Sequence, residues 1–221
     1  MTMTMTMTMT TFGFLHTADV HVAVFDHLLL DISPADRAVH TVDASLLTDA
    51  IERHGVDDDL RTRIGTHLLD LRHHGAVRVV CTCSTIGASS EEVGRTLGLD
   101  VTRVDRAMAR TAVRRGDRIA IVAALGSTMG PTRALLAETA QAERRRVQLV
   151  DAPCLDAWSH FASGNHDGYF AALAAHLASI DASVDVIVLA QASMAPVQDL
   201  VALNSIVLPS PRLAVEDLVN R

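Results

Sequence analysis

Aromatic side chains make up only 3% of the 221 residues, so the core must be built mostly from alanine, valine and leucine. There are three cysteines, two of them in a Cys-x-Cys. That is too few for a disulfide framework and points to a reduced, cytoplasmic setting. No apolar run approaches the roughly 20 residues of a membrane-spanning helix, so no membrane partner is expected. The formal net charge is −7 and no stretch interleaves basic with aromatic residues. Nucleic acid is therefore not the expected partner. The Gly-x4-Gly-Lys-Ser/Thr run of a phosphate-binding loop is absent, and Ser127-Thr128 resembles one only loosely. Cys81-x-Cys83 lacks the wider spacing of structural zinc pairs, and His73-His74 at a helix end read as solvated. No metal site and no cofactor are expected. The Met-Thr repeat of residues 1–10 has neither the basic region nor the apolar core of a signal peptide, and reads as a disordered tail.

What is present is 49% hydrophobic and 20% charged residues, enough for a sizeable core. Short β-branched runs alternate with helical periodicities. A strand over Thr11–Thr17 is followed by helical spacing of Val22, Phe25, Leu28 and Leu29 up to Ser33-Pro34. A second strand runs from Val39 to Asp43. Asp57 to Asp59 cap a helix whose apolar face is Leu60, Ile64, Leu68 and Leu71, with Gly75 closing it. Strands over Val77–Thr82 and Val101–Val104 flank a helix from Ser90 to Leu97. Asp105 is placed to cap a helix that ends at Gly116.

The same order then repeats, with strands at Arg118–Ala124, Arg146–Val150, Val186–Ala190 and Ser205–Leu208. A helix opened by Pro131, another from Asp167, and a terminal one from Ser210-Pro211 accompany them. Phe12 to Ile119, Val39 to Val147, and Cys83 to Gln191 are each 107 or 108 positions apart. That offset predicts a duplicated α/β fold: two pseudo-symmetric halves, each a parallel sheet of about four strands, with the active site in the cleft between them. The first half is expected to take residues 11–103 plus 209–221, and the second residues 104–208.

Chemistry concentrates where Arg78-Val79-Val80-Cys81-Thr82-Cys83-Ser84-Thr85-Ile86-Gly87 runs from strand into helix. Ligands of open α/β sheets bind at such junctions. A thiol at a helix N-terminus sits at the positive end of the helix dipole, which favours thiolate, and neighbouring N–H and hydroxyl groups suit a carboxylate. Cys81 shares a strand face with Cys83 but lies two residues deeper. It takes the structural reading and Cys83 the functional one.

Cys83-Ser84-Thr85 after an apolar strand is similar to the Cys-Asn-Thr of glutamate racemases. Val186-Ile187-Val188-Leu189-Ala190-Gln191-Ala192-Ser193-Met194 stands where their relatives carry an apolar strand followed by Gly-Cys-Thr-His. With the internal repeat in register, nearly the whole chain after the tail resembles the aspartate/glutamate racemase superfamily, which includes hydantoin racemases, maleate isomerases and arylmalonate decarboxylases. The resemblance implies catalysis without cofactor at the carbon next to a carboxylate, with one thiol on each face of that carbon. Here Gln191 replaces the second thiol, and an amide does not titrate near neutrality. Cys154, after Asp151-Ala152-Pro153, does not match the family position.

Three readings follow. In the first, Cys83 is acid/base or nucleophile in a one-sided isomerase- or decarboxylase-type reaction on a small carboxylate. Ser84, Thr85, Ser127, Thr128 and Ser193 hold its oxygens, and Thr17, Ser45 and Ala192 complete the binding set. In the second, racemisation persists with His16 as the other base, the competing reading being that His16 only bonds its surroundings. In the third, the chain is a non-catalytic carboxylate-binding protein with a degenerate site. A homo-oligomer is compatible with all three.

Overall fold

The computed structural model describes residues 9–221. The tail expected over residues 1–10 lies outside the described residues for its first eight positions. Thr10 is tied in, its N–H donating to Asp36 Oδ1 at 2.9 Å and its carbonyl accepting from Arg37 N at 2.8 Å. The elements run Thr11–His16 (β1), Val20–Ile32 (α1), Arg37–Val42 (β2), Ser45–Glu52 (α2), Asp58–His73 (α3), Arg78–Cys81 (β3), Ser84–Thr96 (α4), Asp100–Arg103 (β4) and Arg106–Arg115 (α5). They continue as Arg118–Val122 (β5), Gly126–Ala142 (α6), Gln148–Asp151 (β6), Ala157–Ala162 (α7), His166–Ile180 (α8), Val186–Leu189 (β7), Ile206–Pro209 (β8) and Ser210–Asn220 (α9).

The strands form two sheets of four, ordered β2-β1-β3-β4 and β6-β5-β7-β8, and every pairing is parallel. Parallel neighbours need crossovers, and helices supply them on both faces. Side-chain alternation divides each sheet between two cores. Leu15, Val79 and Cys81 face α2 and α3 through Leu46, Leu60, Ile64 and Leu68. Phe12, Phe14 and Val80 face α1 and α9 through Phe25, Leu29, Ala214, Val215 and Leu218. In the second sheet Ile119, Ile121, Val186 and Val188 meet α5 and α6, while Ala120, Val122, Ile187 and Leu189 meet α8 through Tyr169, Leu173 and Leu177. The C-terminal helix thus returns to the first sheet, where Leu218 O accepts from Arg78 Nη1 at 2.9 Å.

Several sequence expectations change. The helix after Cys83 begins at Ser84, not Ser90. Its early hydroxyls would favour a turn if they competed for the helix's own N–H groups. Instead Ser84 Oγ donates to Ala190 O and Ser90 Oγ to Ile86 O, both at 3.0 Å, so the helix persists through them. Pro131 does not open α6 but lies inside it, because the helix begins at Gly126. In the second turn a proline removes only one intrahelical bond. Asp105 precedes α5 without capping it, since its carboxylate is held by Arg103 Nε at 2.6 Å and Nη2 at 2.8 Å. Asp57 caps α3 as expected, accepting from Leu60 N at 3.0 Å.

Candidate active site

The strands β1, β3, β5 and β7 all end toward one cleft between the sheets. Thr17, Ala18, Thr82, Cys83, Ser84, Thr85, Leu125, Gln191, Ala192 and Ser193 line it, joined by His21 of α1, Leu47 of α2, Thr128 of α6, and Trp158 and Phe161 of α7. Binding at the carboxyl ends of strands is the geometry that α/β sheets favour.

Cys83 is the residue on which the β3–α4 junction turns. Its backbone is extended (φ −109°, ψ 114°) and it stands at the N-cap of α4, so its thiol lies beside the free N–H groups of the first helical turn. Cys81 is fully buried, donates its Sγ–H to Cys83 O at 3.6 Å, and has its pKa pushed up to about 12 by burial and the neighbouring Cys83. Cys154 is half-buried, and burial raises its thiol as well. Two hydroxyl contacts close the cleft across the halves: Ser84 Oγ to Ala190 O, and Thr85 Oγ1 to Ser127 Oγ at 3.2 Å.

On the opposite side, Gln191 Oε1 accepts from Ala124 N at 2.7 Å and Leu125 N at 2.9 Å. Backbone N–H groups can only donate, so the atom facing them must be the carbonyl oxygen. The amide –NH2 makes no hydrogen bond among the described residues, which leaves two donors at the cleft. Ser193 Oγ meets Tyr169 Oη at 3.1 Å, and burial pushes that phenol up to about 12.

Of the sequence-predicted residues, Cys83, Gln191, Thr17, Ser84, Thr85, Thr128, Ala192 and Ser193 come together here. Three do not. His16 is wholly buried and absent from the lining, with Nδ1 2.8 Å from Thr82 Oγ1 and Nε2 2.9 Å from His40 Nδ1. His40 Nε2 lies 2.9 Å from Asp26 Oδ1. Thr82 Oγ1 also donates its one proton to Leu15 O at 3.1 Å, so the His16 ring is tied into a buried hydrogen-bond chain. Burial, then the neighbouring His40 and His21, depress His16 to about 3. Both ring nitrogens are engaged and the ring resists protonation, so His16 is not placed to be a cleft base. Ser45 sits outside the lining, its N–H donating to Asp43 Oδ1 at 3.0 Å and its hydroxyl bonded to Asp43 and Arg63. Ser127 bonds Thr85 from beyond the lining.

Sequence reasoning missed His21, Leu47, Trp158 and Phe161. Nothing in the spacing marked them, although a tryptophan in a chain holding a single one was a cue. Burial depresses His21 to about 4, so it is a neutral imidazole at neutral pH. Cys83 and His21 are the titratable side chains of the lining, and both come from elements packed on the first sheet. The residues at the end of β7 present an amide and a hydroxyl. Among the described residues no cluster of three or more His, Cys, Asp or Glu side chains could hold a metal ion. No helix there is long and apolar enough to cross a membrane.

No protein-family model and no curated protein matches the sequence. Solved structures do match. Glutamate racemase from Francisella tularensis in complex with D-glutamate superimposes with a TM-score of 0.71 at 14% identity, covering 96% of this chain and 80% of that one. The Picrophilus torridus aspartate racemase gives 0.72 at 10% identity over 96% and 93%. A glycine-to-cysteine mutant of arylmalonate decarboxylase gives 0.61 at 16% identity over 95% and 92%. The architecture of this chain, two four-stranded parallel sheets with flanking helices, is therefore that of the aspartate and glutamate racemase fold.

Proposed function

We propose that this chain is a cofactor-independent enzyme of the aspartate/glutamate racemase type. It acts at the carbon next to the carboxylate of a small acid, with proton traffic confined to the Cys83 side. The observation that carries the reading is the asymmetry of the cleft. A thiol at a helix N-cap lies on one side, and a non-titrating amide, pinned through its carbonyl by two backbone N–H groups, stands on the other. The sequence contains no lysine, all 19 basic residues being arginine, so none of its side chains can form the imine of pyridoxal-type chemistry.

The residues then take definite roles. The Gln191 –NH2, the Ser193 and Thr128 hydroxyls, and the N–H groups opening α4 donate to the oxygens of carboxylate and enediolate. Donors aimed at developing negative charge supply the largest share of such catalysis, and removing one costs on the order of a hundredfold or more in rate. In the decarboxylating form the C–CO2 bond breaks and its electron pair is held as the enediolate. The Cys83 Sγ–H proton forms the new C–H bond, and water reprotonates the thiolate. In the exchange form the thiolate removes and returns the α-proton on one face, so configuration is retained.

NMR in deuterium oxide with amino acids, hydroxy acids, malonates and maleate tests this. The expected result is deuterium incorporation with retained configuration, or release of carbon dioxide giving one enantiomer. Deuterium entering both enantiomers equally would overturn the one-sided mechanism. Silence across the panel, with carboxylates still binding, would leave a binding protein.

A further inference from the structure

We infer that the cleft offers its donors to one carboxylate of a small acid and an apolar surface to a non-reacting group on the same skeleton, and that Trp158 and Phe161 read that group. The inference rests on the reading of the cleft as a carboxylate site and adds the class of acid. The cleft lining combines two chemistries. Donors cluster around Cys83, Ser84, Gln191 and Ser193, while Trp158, Phe161, Leu47 and Ala18 supply apolar surface, with Thr17, Thr82, Thr128 and His21 among the rest. No arginine lines it, and the one imidazole there is neutral at neutral pH. The donors can satisfy one carboxylate. A second carboxylate turned to the apolar wall loses its water with no opposite charge in exchange, so it is held there only where its departure as carbon dioxide relieves that cost. An alkyl group in the same place buries apolar surface against indole and phenyl rings.

The wall is held in place. The Trp158 and Phe161 rings lie 5.2 Å apart at 28°, and Phe161 packs on Tyr169 at 5.2 Å. Tyr169 reaches the donor side through its bond to Ser193.

Trp158 is the only tryptophan in the sequence, so its fluorescence reports on this wall. The full chain is titrated with isovalerate and with succinate, which place an isopropyl group and a carboxylate at similar reach. Protection of Cys83 from iodoacetamide is followed in parallel. Isovalerate is expected to change the fluorescence and protect Cys83 at a concentration at least tenfold lower than succinate. Phe161→Ala should shrink that ratio several-fold. Trp158→Ala, read by Cys83 protection, should do the same. Succinate protecting as well as or better than isovalerate would overturn this inference alone. Neither acid protecting Cys83 nor moving the fluorescence would overturn the carboxylate reading beneath it.

Discussion

Cys83 and Gln191 both carry predictions that separate chemistry from fold. Cys83→Ala should abolish exchange or turnover, read by NMR, with the unfolding midpoint nearly unchanged, because the thiol borders the cleft and makes no hydrogen bond that the fold requires. Iodoacetamide should modify Cys83 ahead of Cys81, whose buried thiol is pushed up to about 12. Faster modification of Cys81 or Cys154 would remove Cys83 from the mechanism. Gln191→Glu keeps an oxygen for Ala124 and Leu125 N–H but replaces the –NH2 by a negative charge. Carboxylate affinity should fall at least tenfold, about 1.4 kcal/mol, without loss of thermal stability. Unchanged affinity would mean that the amide does not face the ligand.

At the scale of elements, the two sheets are coupled by a buried cluster behind the cleft. Arg103, at the end of β4, and Asp105 form a bidentate pair with side chains 3% and 0% exposed. Arg103 Nη2 also reaches Pro131 O of α6 at 3.3 Å, and its backbone N–H donates to Glu91 of α4 at 3.1 Å. Gly87 makes room for this, since a Cβ there would lie 2.8 Å from Arg103 Cβ. Removing one partner of a buried pair leaves an uncompensated charge and typically costs about 3–5 kcal/mol, more than replacing both by apolar groups. Asp105→Asn should therefore lower the free energy of unfolding in urea by that order, and Arg103→Met with Asp105→Leu should cost less. A single substitution that is nearly neutral would show that the pair does not couple the halves.

Over the whole molecule, buried neutral histidines make stability depend on pH. His16 and His21 have folded values of about 3 and about 4, below the 6.5 expected when unfolded. Above pH 6.5 both are neutral in either state and their contribution is fully present. As pH falls from there toward 4, the unfolded chain takes up protons that the folded one refuses, and stability drops by on the order of a few kcal/mol. Urea midpoints should therefore fall between pH 7 and pH 4.5, and the His16→Gln, His21→Gln double variant should flatten that slope. An unaltered slope would place the dependence elsewhere.

How much of this was legible in the sequence follows from the range over which each feature is specified. The succession of strands and helices, their parallel pairing and the repeat depend on local apolar periodicity and on spacing, and these are written along the chain. So are the capping of α3 by Asp57 and the place of Cys83 at a strand–helix junction. Gln191 at the position opposite followed from the offset between the halves. The start of α4, the role of Asp105 and the burial of His16 depended on partners between two and 106 residues away: Arg103 for Asp105, His40 and Thr82 for His16, and Ala190 for Ser84. Hydrogen bonds of that kind override local preference and leave no periodic trace. The apolar wall is the clearest case. Trp158 and Phe161 lie on a helix of six residues, too short to show periodicity, and only the packing of that helix against Tyr169 turns them toward Cys83 and Gln191. The sequence alone placed a thiol and an amide at corresponding strand ends of two α/β halves; what stands beside them was decided by tertiary packing, because side chains far apart in the chain share one surface only after the sheets have formed.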